Sequence, residues 1–218
     1  MPSPAGRVER SDARANRQRL LDAASELIAE RGVGVTLNDI AHHAGVGVGT
    51  AYRKFANKTE VIDALFDERL AAVVALAQEC LADPDAWAGF VRFLEGSLRM
   101  QAQDRGLKDV LNHPSLGGDR LELSRRTVSP LVAEIVARAQ RAGALRPDVT
   151  ASDVIVAQLA LHALMDFSRG IEPDLYRRYL SIVLDGLRAD HALTALPVAA
   201  LDDDQTQAVT SNSVRLST

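Results

Sequence analysis

The segment from Thr36 to Lys58 carries side chains suited to binding phosphate groups. Arg53, Lys54 and Lys58 supply positive charge, and Tyr52 supplies a phenolic hydroxyl. Charged and hydroxyl donors of these kinds bind the phosphate oxygens of nucleic acids. The Thr36 hydroxyl, with the free N–H groups of a helix that begins there, is a further set of donors. The segment therefore predicts contacts to a phosphate backbone.

Two short helices joined by a glycine-containing turn are predicted to position these side chains. Thr36 opens the first helix, with Asp39 three residues later in the capping-box position. Gly45 ends it and supplies the left-handed backbone that the turn needs. Ala41 is small enough for the two helices to approach closely, and the second helix runs from about Val48 to Phe55. This arrangement is a helix-turn-helix.

The second of these helices exposes side chains that are small at its start and basic at its end. Small residues at a helix start let the helix enter the major groove of DNA, where its N-terminal residues reach the base edges. The same pattern also fits two helices packed together in a purely structural bundle, so the motif by itself leaves both interpretations open. The exposed residues are Gly47, Val48, Gly49, Thr50, Arg53 and Lys54.

The charges of the chain are divided unevenly along its length. Residues 1–60 carry nine Lys/Arg and seven Asp/Glu, net +2, whereas residues 61–218 carry sixteen and twenty-two, net −6. The first nineteen residues alone have a net charge of +3. A basic end on an acidic body indicates an anionic partner at that end, although a solvated arm without a partner has the same composition.

The segment from Arg19 to about Leu70 resembles the DNA-binding domain of TetR-family (tetracycline-repressor-like) transcriptional regulators. The joint order and spacing of its residues carry the resemblance, whereas most of the remaining chain matches only in being helical. Residues 141–148 are also similar to the turn before the dimer helices of that family. The matching residues are Leu21–Ala24, Leu27–Gly32, Thr36, Ile40, Ala41, Ala44–Val46, Gly49, Thr50, Tyr52, Phe55, Asn57 and Lys58.

The resemblance implies a homodimer that places two recognition helices in successive major grooves of a palindromic DNA operator, about 34–36 Å apart. It also implies a repressor that a small-molecule ligand releases by binding in the C-terminal body. Many family members carry serine or a larger polar residue at Gly47 and Val48, so here the basic side chains are expected to carry more of the DNA binding. By position, the DNA contacts would be Thr36, Val48, Gly49, Thr50, Tyr52, Arg53, Lys54 and Lys58.

Helical periodicity continues along most of the chain, and no segment shows the alternation and hairpin turns of a sheet. Residues 112–118 are predicted as a loop, and Ser129 followed by Pro130 predicts the start of a helix. The polar tail from Leu196 predicts disorder. The predicted fold is all-α, with a flexible basic arm (1–15), a three-helix helix-turn-helix DNA-binding domain (16–62), a larger helical ligand-binding and dimerisation domain (63–195) and a disordered tail (196–218).

The segment from Val154 to Phe167 is apolar nearly all round a helix. Such a helix is buried on most of its sides, and a single subunit cannot easily cover it. The last predicted helix offers more apolar side chains, among them Tyr179, Leu180 and Leu184. We therefore predict a homodimer through residues 151–168 and 173–189, packed as an intersubunit four-helix bundle as in the family.

A polar stripe interrupts this apolar segment at Gln158, His162 and Asp166. These residues fit the solvent-exposed edge of a dimer bundle, and they also fit polar groups that face a pocket. Ligand pockets are mostly apolar with a few polar groups, so the sequence does not separate pocket lining from ordinary core. The candidate ligand-binding residues are Trp87, Phe90, Leu94, Leu98, His162 and Asp166.

Several other function classes lack support. The lone cysteine, Cys80, excludes an intrachain disulfide and a Cys-based zinc site. Gly45, Gly47 and Gly49 do not match a dinucleotide-binding loop, and no nucleophile–base constellation is present, so no metal, cofactor or enzymatic activity is predicted. No apolar run reaches the ~18–20 residues of a membrane helix, and the polar N-terminus lacks a secretory signal. These features predict a cytoplasmic location, with nucleoid association when DNA is bound.

The predicted function is a sequence-specific DNA-binding transcriptional regulator. It is expected to be a homodimeric repressor that a small-molecule effector releases from a palindromic operator. Two alternatives within the same family are a ligand-independent regulator and an activator. A third alternative is a helical adaptor that does not bind DNA.

Overall fold

The computed structural model describes residues 4–103, 118–190 and 192–216. Within these ranges the regular structure is helical, and Leu145 and Arg188 form one isolated antiparallel bridge. The all-α prediction is confirmed. The α-helices of the described residues are α1 (Pro4–Arg31), α2 (Leu37–His43), α3 (Val48–Lys54), α4 (Lys58–Ala82), α5 (Ala86–Gln103), α6 (Gly118–Arg141), α7 (Ala151–Ser168), α8 (Leu175–Leu187) and α9 (Asp203–Leu216).

The described residues form two units that divide within α4, between Leu70 and Ala71. The N-terminal unit contains α1, α2, α3, the first half of α4 and the first turn of α6. The C-terminal unit contains the second half of α4 and the remaining helices. The predicted boundary after residue 62 lies in the same helix, about two turns earlier. Both divisions therefore make α4 an element that the two parts of the chain share.

Local sequence signals set the helix ends of the N-terminal unit. The Thr36 hydroxyl accepts a hydrogen bond from the Asp39 backbone N–H, and the Asp39 carboxylate accepts one from the Thr36 backbone N–H at 2.8 Å, which completes the capping box. Gly45 has a φ of 62°, so the turn between α2 and α3 uses a backbone conformation that favours glycine. Ala41 and Ala51 are fully buried on the facing sides of these two helices, which contact each other.

The C-terminal unit has an apolar core to which α4, α5, α6, α7 and α8 all contribute. A Cβ atom on Gly89 would lie 2.4 Å from the Cys80 carbonyl oxygen, so the start of α5 and the end of α4 approach too closely for any other residue. Thr150 and Asp153 form a capping box at the start of α7, as the sequence predicts. The buried residues of this core include Phe90, Phe93, Leu94, Leu98, Val132, Ile135, Val154, Leu161 and Met165.

The predicted helix start at Ser129 and Pro130 needs correction. Pro130 lies inside α6 and does not begin it. Proline removes one backbone hydrogen bond from a helix, and the burial of Val132 and Ile135, two and five residues further on, offsets that loss. The predicted loop at 112–118 lies outside the described residues except for Gly118, which begins α6.

The N-terminal arm is also different from the prediction. The sequence predicts a flexible arm over residues 1–15, but α1 begins at Pro4 and is continuous to Arg31. This segment lacks an apolar stripe, but its alanine and arginine residues have a high helix propensity. They therefore extend α1 towards the N-terminus, beyond the part of the helix that is packed in the core. Further along α1, Arg17 forms an ion pair with Glu68 at 2.6 Å and lies over the Phe55 ring at 5.7 Å.

The prediction of a disordered tail over residues 196–218 also needs correction. Residues 203–216 form α9, which contacts α7. Two side chains from elsewhere in the chain hold the residues that precede α9. Arg146 donates to the Thr194 carbonyl at 2.7 Å, and Ser152 donates to the Leu201 carbonyl at 2.9 Å. The prediction failed because these partners lie almost fifty residues away in the sequence, where composition and periodicity give no signal of them.

Candidate functional site

The helix-turn-helix places most of the predicted DNA contacts on one exposed surface. Ala51 is the buried residue of α3, whereas Gly49, Arg53 and Lys54 are exposed, and Tyr52 keeps half of its surface accessible (50%). Val48 is partly buried and packs against the apolar core of the N-terminal unit, so its side chain is less available than the sequence suggests. The start of α3 therefore presents small side chains, which are followed by one phenolic and two positively charged side chains.

The side chain of Arg53 is held against its own helix. Its Nη2 donates to the Thr50 hydroxyl at 3.0 Å, one turn earlier. Thr50 thus both lies on the exposed side of α3 and orients the guanidinium. Residues three positions apart are neighbours on the surface of a helix. Thr50 and Arg53 therefore act as a pair of predicted contacts.

A groove of about 340 Å³ lies between α1 and α3. Three of its lining residues were not indicated as site residues by the sequence pattern: Asp12 and Ala13 lie within the predicted arm, and Asn16 directly follows it. The reason is that an arm without fixed structure has no defined neighbours. The groove is lined by Asp12, Ala13, Asn16, Thr50, Arg53 and Lys54.

Thr36 and Lys58 are already engaged within the N-terminal unit. The Thr36 hydroxyl donates to the Asp39 carboxylate at 2.6 Å, and hydrogen bonds from the Thr36 side chain and backbone hold the pKa of Asp39 below its usual value. The Lys58 ammonium donates to the Val33 carbonyl at 2.5 Å and is half-buried. Thr36 is exposed at the start of α2, whereas Lys58 must exchange or share its carbonyl partner to reach a phosphate.

The predicted apolar ligand residues lie together in the core of the C-terminal unit. Phe90, Leu94 and Leu98 are buried side chains of α5. Trp87 stacks on Phe90 with ring centroids 5.5 Å apart, and the Arg188 guanidinium lies 4.9 Å above the Trp87 ring. Phe90, Leu94 and Leu98 thus belong to the apolar core of this unit, and Trp87 packs against it.

The polar stripe of α7 faces two different neighbours. Gln158 hydrogen-bonds to the hydroxyl of Ser97, a buried residue of α5 that the sequence pattern did not indicate. His162 Nε2 lies 3.8 Å from an Asp166 carboxylate oxygen, and the other oxygen of Asp166 pairs with Arg169. The stripe therefore begins as a partly buried polar contact between α5 and α7 and ends at the Asp166–Arg169 ion pair, next to His162.

The described residues contain neither a metal-binding cluster nor a membrane-spanning helix. In residues 4–103, 118–190 and 192–216, no group of three or more His, Cys, Asp or Glu side chains is arranged to hold a metal ion. Over the same part of the chain, none of the helices has the length and apolarity that crossing a membrane requires.

Two family models match this chain. Residues 20–65 match "Bacterial regulatory proteins, tetR family". Residues 83–189 match "Transcriptional regulator SbtR-like, C-terminal domain". Together the matches cover the helix-turn-helix and the larger helical part that follows it.

Known proteins resemble the chain in sequence and in structure. A helix-turn-helix-type transcriptional regulator of Staphylococcus aureus (strain MRSA252) is 36% identical over 84 residues, which are 37% of this chain and 44% of that regulator. The crystal structure of a TetR transcription regulatory protein from Mycobacterium vanbaalenii is 30% identical, with a TM-score of 0.62, and the alignment covers 82% of this chain and 98% of that one. SmeT in its triclosan complex shares the fold at 22% identity and a TM-score of 0.60, over 86% of this chain and 100% of SmeT.

The geometry and the relatives agree on the class of this protein. The helix-turn-helix exposes Tyr52, Arg53 and Lys54, and the alignment with a structural relative at 30% identity covers 98% of that chain. The chain belongs to the TetR family of DNA-binding, non-enzymatic transcriptional regulators.

Proposed function

We propose that this regulator is a homodimeric repressor that binds a palindromic operator through α3 and leaves it when a small molecule binds to the C-terminal unit. The observation that carries the DNA-binding half of the proposal is the exposed face of α3, in which small residues precede Tyr52, Arg53 and Lys54. A helix of this composition reads bases at its start and binds phosphates along its sides.

The exposed residues divide into two roles. We assign Val48, Gly49 and Thr50 to the base edges of the major groove, where the partly exposed methyl groups of Val48 suit a thymine methyl. Because Thr50 holds Arg53, the guanidinium reaches the DNA from a fixed position on α3. We assign phosphate contacts to the remaining residues of the set, Thr36, Tyr52, Lys54 and Lys58.

Exposed apolar side chains on α7 and α8 support the dimer. Phe167 and Ile171, at the end of α7 and just beyond it, are exposed over 81% and 89% of their surface, and Tyr179 and Ile182 on α8 are also exposed. Large apolar patches on a protein surface mark interaction sites. A second copy that packs against α7 and α8 would cover this patch with its own equivalent surface, as a two-fold interface requires.

The release mechanism that we propose is a shift between two conformations of the dimer. Helix α4 belongs to both units, so a ligand that favours one position of α4 also favours one spacing of the recognition helices. We place the ligand among the residues near Trp87, Phe90, Leu94 and Leu98, with His162 and Asp166 as polar groups. SmeT, a structural relative with triclosan bound, supports a small-molecule site in this fold.

The proposed functional division follows the predicted domains, with DNA binding in residues 16–62 and ligand binding and dimerisation in residues 63–195. Because the partner is chromosomal DNA, we place the activity in the cytoplasm, with the protein on the nucleoid while it is bound. The alternatives of an activator and of a ligand-independent regulator use the same DNA surface and differ in the outcome of binding.

Selection of bound DNA from a random pool, with purified protein and a salt titration, tests the DNA-binding proposal. We expect an enriched palindrome whose half-sites lie about one helical turn apart. The double variant Arg53→Ala/Lys54→Ala should lose the motif and have a lower salt slope. Arg99→Ala, which removes an exposed charge from α5, is the matched control and should enrich the same palindrome as the parent.

Two results of this selection would contradict parts of the proposal. Enrichment of a single half-site would contradict the dimeric operator. Salt-sensitive background without any motif, both with and without added cell extract, would favour an adaptor that does not read DNA. Once the operator is known, small molecules can be screened for its release, and a ligand that tightens binding instead would identify an activator or co-repressed regulator.

A further inference from the structure

The exposed apolar side chains of this protein are concentrated in its last third. In the described part of the chain, ten large apolar residues are exposed, and eight of them lie between residues 167 and 209. Four belong to the α7–α8 region and four to the segment after α8, which we call the C-terminal segment (192–216). The eight residues are Phe167, Ile171, Tyr179, Ile182, Leu193, Leu196, Val198 and Val209.

The C-terminal segment lies beyond both family matches, the second of which ends at residue 189. It is nevertheless attached to the C-terminal unit at two points. Arg146 is buried, forms hydrogen bonds of 2.7 and 2.9 Å to the Asp148 carboxylate and donates to the Thr194 carbonyl. The Ser152 hydroxyl holds the Leu201 carbonyl, and Thr206 of α9 is buried.

The segment is attached on the side of α7 that faces away from the core. Ser152 is two residues from Val154, and Phe167 is two residues from Met165, where Val154 and Met165 are core residues. Two residues correspond to about 200° around a helix, so Ser152 and Phe167 both lie on the outward side. They are separated along α7 by about 22 Å, at the rise of ~1.5 Å per residue. The C-terminal segment and Phe167 therefore mark two ends of one outward surface.

In residues 192–210, the part of the C-terminal segment whose side chains the structure describes, four of the five large apolar residues, all but Leu201, are exposed. The segment buries the small polar side chain of Thr206, whereas Val198 is exposed over 76% of its surface and Leu196 and Val209 are also exposed. A segment that served only as a lid would turn these side chains inward. A stable protein–protein interface buries about 800 Å² on each partner, which requires more than the four exposed apolar side chains of the α7–α8 region.

We propose that the C-terminal segment is a third element of the interface between two copies of this chain, next to α7 and α8. Leu196, Val198 and Val209 contact the second copy, and Arg146 and Ser152 hold the segment in the position where they can do so. This inference rests on the dimer of the proposed function and extends its interface beyond the part that the family models match.

The test compares dimer dissociation constants of the full chain and of a variant that lacks residues 196–218, measured by sedimentation over a dilution series. We expect the truncation to weaken the dimer at least tenfold. A second pair of variants avoids any effect of truncation on folding. Val198→Asp changes an exposed side chain of the segment and should also weaken the dimer, whereas Leu123→Asp changes a 48% exposed side chain of α6 and should not.

The outcomes separate this inference from the proposed dimer. A full chain that stays monomeric throughout the dilution series overturns both. A dimer whose dissociation constant is unchanged by truncation and by Val198→Asp overturns the third element and leaves the α7–α8 dimer in place. A truncated chain that dimerises more tightly also overturns it, because the segment would then cover the interface. If the truncated chain does not fold, the two point variants decide.

Discussion

The N-terminal and C-terminal units leave different kinds of side chain exposed. Among the described residues of the N-terminal unit, Tyr52 is the one large apolar side chain that is exposed, and it is accompanied by Arg53 and Lys54. The described part of the C-terminal unit exposes nine, most of them in and after α7. The first surface suits a charged, hydrated partner such as DNA, and the second suits another apolar protein surface. Two surfaces of different chemistry on one chain therefore match the two partners that we propose, DNA and a second copy of the chain.

The largest expected effect comes from breaking the apolar surface. Ile182→Asp places a charge at an exposed position of α8, so the single chain should fold, while the dimer should not form because the charge would be desolvated. Operator affinity should then fall about a thousandfold, towards non-specific binding. Sedimentation and fluorescence anisotropy with labelled operator measure the two effects. If the variant were monomeric and still bound the operator with full affinity, operator binding would not depend on the dimer.

The next effect comes from the polar surface. Tyr52→Ala should weaken operator binding about a hundredfold or more, because each dimer loses two hydrogen bonds to charged groups worth about 1.5 kcal/mol or more apiece. Sedimentation of the variant should still show a dimer. Tyr52→Phe keeps the ring and removes only the hydroxyl, so it should behave like Tyr52→Ala. If Tyr52→Phe binds as tightly as the parent, the phosphate assignment of Tyr52 is wrong.

Two glycine substitutions should have opposite effects on stability in the two units. Gly89→Ala forces a Cβ against the Cys80 carbonyl oxygen and should lower the free energy of unfolding by about 1–3 kcal/mol. Gly49→Ala meets no atom within 4 Å and should stabilise α3 by up to about 1 kcal/mol, yet it should weaken operator binding by obstructing a base edge. Urea unfolding and anisotropy measure both variants. Unimpaired operator binding by Gly49→Ala would remove Gly49 from the DNA contacts.

The smallest effect distinguishes two roles of Lys58. If Lys58 binds a phosphate, Lys58→Ala should weaken binding to all DNA sequences alike and lower the salt slope by about one for each phosphate that the variant leaves without a cation. A salt titration with operator and with unrelated DNA measures the slope. An unchanged slope together with a lower melting temperature would show instead that the bond to the Val33 carbonyl is the main role of Lys58.

The N-terminal site was more predictable from sequence than the C-terminal one. The positions of α2 and α3, the left-handed Gly45 and the capping box of Thr36 follow from residues within a few positions of each other. The candidate ligand residues were harder to interpret, because apolar side chains such as Phe90 and Leu98 look alike in a pocket and in a core. The structure places these two in the core.

Several contacts could not be predicted because their partners are distant in sequence. Gln158 meets Ser97, and Lys58 meets the Val33 carbonyl, although nothing in the local pattern selects either partner. The prediction for Pro130 was wrong for a related reason, since the burial that keeps α6 continuous is a property of the packed core.

The sequence by itself determined the helical class, the helix-turn-helix and the capping of α2 and α7, because these depend on propensities and on hydrogen bonds between residues three or four positions apart. Only the tertiary structure decided that Arg146 and Ser152 hold the C-terminal segment, and which apolar side chains remain exposed. The physical reason is that exposure is what remains after distant elements have packed, and no local pattern contains that information.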